Sequence, residues 1–381
     1  MRKVLFLAKH LDSGGVTTHM MALGRGLQER GWEIAIASGG IYGRHDHGPD
    51  WFESNGIPHF SVPFPGMGAP VRNVLRAASS LVRSLSVFRR FRPDIVHVHW
   101  RVASTHARLA KSLWKIPFVV TLNQHPIPSG PIMRRLSQWG DLTIAVSREA
   151  ADHLIRGFGV PPDRIRVIHN CVDDKTFRPP TAGDRQSARH RLGLSPVERT
   201  VCLVGRLERV KGHDVLVEAL CRLRQSGMDV VALCAGEGSQ ESAIRVDAHR
   251  QGVGDLVRLL GFLPSREVLW ATEICVLPSR AEGFPVSVAE AMMCGVVPIR
   301  TPAAGASDQI KDGVDGFVVP FNDSTALAAR IKQLLGNDEL RQQMGTAALR
   351  TARERFTAAT MTSQVIDVYE SCIGRESSPR T

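Results

Sequence analysis

Short runs of apolar and β-branched residues recur along this chain, each long enough for one strand, and helical spacing fills the longer stretches between them. In the first half the runs fall at 4–8, 33–38, 59–62, 95–99, 118–122, 143–146 and 165–168. Strands separated by helices pair in parallel, with crossovers lying over the faces of the sheet. A stretch from about 174 to 199, containing Pro, Arg and Ser, breaks the rhythm and reads as a hinge. The pattern then restarts at 200–204, 230–235, 257–260, 274–277, 296–300 and 316–319. A second doubly wound domain follows, and its ligand belongs outside the carboxyl ends of its strands.

Two domains also suit the size, since 381 residues exceed one ordinary core. With 43% hydrophobic and 22% charged residues the chain reads as globular, and two Tyr in all leave no aromatic platform for single-stranded nucleic acid. The apolar run 4–8 is too short for a signal core, and no stretch reaches the ~18 apolar residues of a membrane span. The expectation is a cytoplasmic chain, with an option of peripheral attachment to the membrane's inner face. The seven Cys form no C-x-x-C pair and sit mostly inside apolar runs, which predicts buried reduced thiols.

The strongest chemical signal runs from Pro278 to Gly295, directly after the run 274–277. Glu282 lies in a glycine turn at a strand's end, and Glu290 lies eight residues on, early in a helix. A nucleotide-sugar needs acceptors for its sugar and ribose hydroxyls, and N–H groups or cations for its diphosphate. Ser287 and Glu290 also fit a capping box, so Glu290 has a structural reading beside the functional one. Arg206 and Lys211 follow the first run of the second half, where a guanidinium fork and an ammonium suit phosphate oxygens. Gly14 and Gly15 occupy the matching turn of the first half and permit close backbone approach to a phosphate.

The Gly14-Gly15 loop, Pro93-Asp-Ile-Val-His97-Val-His99, Val146-Ser147, Asn170-Cys-Val-Asp173, Arg206 to Gly212, Gly236-Glu-Gly238 and Glu282-x7-Glu290 together resemble the family-4 retaining glycosyltransferases. The resemblance runs nearly end to end. It implies the GT-B fold, two doubly wound Rossmann-like domains facing each other across a cleft. The implied boundaries are 1–175 for an acceptor-side domain, 176–199 for the linker and 200–356 for the donor domain. The chain from about 357 to 381 is implied to cross back onto the first domain. By the same resemblance, Arg206 and Lys211 hold the donor diphosphate, Glu290 holds the ribose, and Glu282 with Gly283, Phe284, Pro285 and Val286 holds the transferred sugar. Gly14, Gly15, Gly236, Gly238 and Phe262 complete the donor set.

Two departures from the family pattern stand out. Asn123 and then His125 follow Thr121-Leu122 where the family has Thr-x-His, so either is a candidate for the active-site His position. Cys171 stands where Gly is usual, which would strain the backbone if φ were positive there. No Asp-x-Asp or metal-ligand spacing is present, and a metal-free transfer of hexose or N-acetylhexosamine from a UDP- or GDP-sugar is expected, with no cofactor. A nucleotide-sugar epimerase or a non-catalytic nucleotide-sugar-binding protein of the same fold is the competing reading.

The net charge of +11 is one-sided: residues 1–180 hold 24 Lys and Arg against 13 Asp and Glu, while the remainder balances at 24 each. Residues 71–92 carry six Arg and no acid, with Val71, Val74, Leu75, Ala78, Leu81, Val82, Leu85 and Phe88 on one helical stripe. Such a helix either covers the sheet or lies on an anionic membrane and presents a lipid-linked acceptor. A glycan or a small molecule is the alternative acceptor. Nucleic acid is excluded as a partner, because no basic patch is interleaved with aromatics.

Overall fold

The computed structural model describes residues 1–11, 15–40, 49–64, 70–123 and 126–377. The chain forms two compact units, one of Met1–Cys171 with Ala358–Thr381 and the other of Val172–Thr357.

Unit 1 is built on seven strands, β1 (Lys3–Ala8), β2 (Glu33–Ser38), β3 (His59–Ser61), β4 (Ile95–Val98), β5 (Phe118–Leu122), β6 (Leu142–Ala145) and β7 (Ile165–Val167). They form one parallel sheet in the order β3-β2-β1-β4-β5-β6-β7. Alternation sends Val4, Phe6 and Ala8 to one face and Leu5 and Leu7 to the other. The first face is covered by the helix Gly15–Gln28, through Met20, Leu23 and Leu27, and by the helix Ala358–Ser377, through Met361, Val365, Val368, Tyr369 and Cys372. This last helix returns to unit 1 after the whole of unit 2 has been traversed.

Unit 2 contains β8 (Thr200–Val204), β9 (Val231–Ala235), β10 (Val257–Leu259), β11 (Ile274–Leu277), β12 (Val297–Arg300) and β13 (Phe317–Val318). Its parallel sheet runs β10-β9-β8-β11-β12-β13. Both sheets are thus Rossmann-like, each reversing its winding beside its first strand.

Three expectations change. The segment expected as a linker carries the helix Ala182–Arg191, opened by a Thr181/Asp184 capping box and belonging to unit 2. Its Arg189 is 7% exposed and reaches Glu273 at 3.3 Å and the carbonyls of Ala271, Ser195 and Glu198. Low hydrophobicity made this segment look like a connector, whereas buried arginine bonds hold it down. Cys171 is not among the positive-φ non-glycine residues, which among the described residues are Arg92, Lys115 and Asn322, and it lies buried in the unit 1 core without that strain.

The third change concerns the helix Pro70–Phe91. Its buried face is Ser80, Ser84, Val87, Phe88 and Phe91, whereas Leu81 and Val82 are 38% and 67% exposed. Among the described side chains of this helix the C-terminal turns cover the sheet, and the middle of the expected stripe faces solvent. The side chains of Val71, Val74 and Leu75 lie outside the described residues.

Candidate functional site

In a parallel sheet every strand ends at the same edge, so the loops that follow the strands gather there, and winding in opposite directions opens a crevice between two of them. In unit 2 those two loops follow β8 and β11. Both carry the candidate donor residues.

The β8 loop runs from Gly205 through a short turn at Arg209–Lys211 to Gly212. Gly212 has φ 75°, and a Cβ there would overlap the Pro278 carbonyl of the β11 loop, so glycine lets the two loops touch. Arg280 ties them further, bonding both carboxylate oxygens of Asp214 at 3.0 and 2.6 Å and the Arg209 carbonyl at 2.7 Å. Held in this way, Lys211 Nζ donates to Glu282 Oε1 at 2.7 Å, with both side chains mostly buried. Arg206 is exposed beside them and makes no ion pair among the described residues.

Glu290 is the fifth residue of the helix Val286–Met293, whose N-cap is Pro285 and has no side-chain cap bond. The capping-box reading of Ser287 and Glu290 therefore fails: the helix has already begun at Val286, one residue before Ser287. Desolvation raises the Glu290 pKa to about 7, opposed by a bond to Ser265. A carboxyl held that high costs stability unless something rewards its charged form, which marks it as a candidate ligand group.

Beneath this helix lies a buried network. Arg300, 1% exposed, donates to the Ala303 and Ala304 carbonyls at 2.7 and 3.0 Å and to Gln309 Oε1. Gln309 Nε2 in turn donates to the Pro285 carbonyl at 2.8 Å. The network fixes the turn Gly283-Phe284-Pro285-Val286, in which Phe284 is 4% exposed. Nothing in the sequence signalled this role for Arg300, which reads as the end of an ordinary strand.

Gly236 and Gly238 follow β9, and added Cβ atoms would overlap the Gly205 and Leu207 carbonyls, so their first duty is close packing of the β8 and β9 loops. Phe262 sits half-buried beyond β10 at the same edge.

In unit 1 the reversal lies between β1 and β4. Gly15 opens the helix Gly15–Gln28; Gly14 and His125 lie outside the described residues. Asn123 follows β5 directly, and both of its amide atoms are buried with no partner among the described residues. On the same sheet face stand His97 and His99 of the β4 end and His19 of the helix, 0%, 6% and 4% exposed. His97 and His99 stack with ring centroids 4.0 Å apart, and His19 lies 5.5 Å from His99. His97 Nδ1 contacts the Tyr369 hydroxyl at 2.6 Å and Nε2 the Thr121 hydroxyl at 2.6 Å. Burial lowers the pKa of all three, His19 to about 4 and the others well below the usual value, so the cluster is neutral at physiological pH. In the sequence the His97-x-His99 motif carries no signal of its role, and His19 gains its place only from the fold.

The family model for glycosyl transferases group 1 matches residues 184–351, and that for glycosyltransferase family 4 matches residues 13–176. A D-inositol 3-phosphate glycosyltransferase of Xylanimonas cellulosilytica is 29% identical, over 96% of this chain and 93% of its own length. That of Corynebacterium diphtheriae is 25% identical, over 94% and 90%. Among solved structures, Anabaena HepE in complex with UDP-glucose superposes with a TM-score of 0.83 at 21% identity, covering 97% of this chain and 100% of that one. A glycosyltransferase from Rickettsia africae gives 0.82 at 20% identity, covering 98% of each chain. These structural likenesses carry the fold.

Proposed function

The chain belongs to the group 1 and family 4 glycosyltransferases of the GT-B fold, and from that premise we propose that it moves a hexose or N-acetylhexosamine from a UDP- or GDP-linked donor to a small-molecule hydroxyl. The observation that carries the reading is the meeting of Arg206, Lys211, Glu282 and Glu290 at the winding reversal of unit 2. The curated relatives are named for action on D-inositol 3-phosphate, and the solved neighbour holds UDP-glucose; both favour a UDP-sugar and a small acceptor.

Each residue then has a task its chemistry suits. Arg206, free of carboxylates, takes the diphosphate, and Lys211 turns from Glu282 to the same phosphates when a donor arrives. Their charge balances the leaving nucleoside diphosphate as the glycosidic bond breaks, so the step requires no metal ion. Glu282, released, accepts from hydroxyls of the transferred sugar, and Glu290 from the ribose. We assign retention without a covalent intermediate: the acceptor hydroxyl attacks from the side the diphosphate leaves, and its proton passes to a departing phosphate oxygen.

A thermal-shift screen of UDP-, GDP- and ADP-sugars tests the donor, since a ligand held by the native state raises the Tm. Stabilisation by a UDP- or GDP-sugar supports the reading. A response to none of the nucleotide-sugars removes it.

The acceptor side has a second element. Leu81 and Val82 are exposed on a helix whose Arg83, Arg89 and Arg90 are also exposed, a surface matched to anionic lipid. We read it as a peripheral membrane contact. No helix among the described residues is long and apolar enough to cross a membrane.

A further inference from the structure

Most histidines of unit 1 that are buried or half-buried have found partners. His59 Nε2 contacts the Ser38 hydroxyl at 2.8 Å, His106 Nε2 contacts that of Ser80 at 3.1 Å, and His153 and His169 reach backbone carbonyls at 2.9 and 3.0 Å. His97 is bonded at both ring nitrogens. His99, stacked on it, has neither nitrogen bonded, and His19 beside it has none within bonding geometry, although the Asn170 side chain stands near. Asn123 likewise leaves both its amide oxygen and nitrogen unpaired.

The unpaired groups of unit 1 gather at one place. In the parallel register Val98 pairs with Val120, so His99 stands level with Thr121, and Asn123 follows two residues further on the same face. His19 comes from the helix that starts at the β1 turn. All three therefore sit at the carboxyl edge, at the winding reversal where a ligand of unit 1 belongs. The pattern repeats in unit 2: His213, 3% exposed with both ring nitrogens unpaired, directly follows Lys211-Gly212 of the donor loop. Buried polar groups are normally paired, so a cluster of exceptions at one edge calls for a polar occupant.

We propose that His99 and Asn123, backed by His19, form the floor of the acceptor subsite and select an uncharged polyol ring by hydrogen bonds to adjacent hydroxyls. This rests on the transferase reading above. Each neutral imidazole offers one donor and one acceptor, and the amide offers both, which matches hydroxyls that donate and accept at once. An anion asks for donors alone and would meet acceptor lone pairs here. His97 supplies the platform: Tyr369 and Thr121 fix its tautomer and tilt, and it holds the His99 ring in place by stacking.

The test uses the full chain. Histidine ring nitrogens are followed by NMR while myo-inositol, D-glucose or inorganic phosphate is added to about 10 mM, the range of weak single-site binding. We expect the His99 resonances to move with at least one polyol and not with phosphate. His99→Leu should weaken polyol binding by ~10-fold or more, and His99→Gln, which keeps polar atoms, should recover part of it. Stabilisation by UDP-sugar should be unchanged in both variants. If neither polyol moves His99, ordered water is the only occupant and the proposal is overturned. It is overturned equally if phosphate moves His99 as strongly, or if His99→Leu and His99→Gln both weaken UDP-sugar binding, which would assign the residue to the donor or to the fold. Loss of donor stabilisation in the wild type itself would instead sink the transferase reading.

Discussion

Lys211 Nζ lies 2.7 Å from Glu282 Oε1, joining the loop after β8 to the loop after β11 in a pair whose side chains are only 18% and 9% exposed. Sequence reasoning gave these residues to opposite ends of the donor, the diphosphate and the sugar. Their direct contact makes them one unit that must open for the ligand. A pair that holds both groups in place beforehand lowers the ordering cost of binding.

Exchanging the two charges separates this role from structure. Lys211→Met and Glu282→Gln should each reduce turnover by ~10-fold or more while moving the Tm by only a few degrees. The double variant Lys211→Glu/Glu282→Lys should recover the Tm and not the turnover. Recovered turnover in steady-state assays would show that only the bridge matters, and would end the assignment of Lys211 to phosphate.

Glu290 gives a pH signature. Its folded pKa of about 7 exceeds the unfolded 4.5, so the native state holds the extra proton between these values. Its contribution favours folding below about pH 4.5 and is lost as the pH rises through 7, a change on the order of 3 kcal/mol. Glu290→Gln should therefore be more stable than the wild type at pH 8 and bind donor ~10-fold more weakly. Ribose hydroxyls that donate to the carboxylate favour its charged form, so donor binding near pH 7 should release a proton. Calorimetry in buffers of different ionisation enthalpy reads this directly, and no proton release would remove Glu290 from the ribose.

The Arg300–Gln309–Pro285 network should couple core to ligand. Gln309→Leu leaves the Pro285 carbonyl and an Arg300 N–H unpaired, at a cost of roughly 2–4 kcal/mol. Denaturant melts should show that loss, and titration of UDP should show affinity reduced by ~3-fold or more. Unchanged affinity in a destabilised protein would confine the network to folding.

On the membrane side, the full chain should sediment with anionic liposomes at ~50 mM salt and be released at high salt, because screening shortens the reach of exposed charges to ~8 Å or less. Val82→Asp with Arg83→Gln should abolish sedimentation and spare UDP-sugar stabilisation. A wild type that ignores these liposomes would return the basic excess of the first half to a soluble anionic partner.

Transfer should also continue undiminished in excess EDTA, since Arg206 and Lys211 carry the charge that a cation would otherwise supply. A loss restored only by added Mg²⁺ or Mn²⁺ would overturn that division of labour.

Both sheets were legible because their central strands are apolar runs bounded by turn residues, and burial on both faces of those strands leaves no competing pattern. The donor loops were legible for a related reason, as Arg206, Lys211, Glu282 and Glu290 follow such runs at fixed offsets. Pairwise and tertiary facts were not. Nothing local links Lys211 to Glu282, and Arg300 and Tyr369 gain their roles from partners far along the chain or across a turn. The Pro70–Phe91 stripe misled because helical period gives the width of an apolar face without saying whether the sheet extends far enough to cover it. Helix Ala182–Arg191 was missed because its anchors are arginines, which read as solvent-facing.

The return of Ala358–Ser377 to unit 1 imposes an order on biosynthesis. Unit 2 is one continuous stretch and can close as soon as it has left the ribosome. Unit 1 must wait: the groove formed by Met20, Leu23, Leu27 and Trp32 lacks Met361, Val365 and Tyr369 until nearly two hundred further residues are made, a delay on the order of 10–40 s at ~5–20 residues per second. During that interval the nascent chain offers an apolar groove shaped for a helix, the kind of surface that holdase chaperones recognise. The segment emitted first is thus among the last to be finished, and a chain released after unit 2 but before the last helix would carry a complete second unit and an unfinished first one.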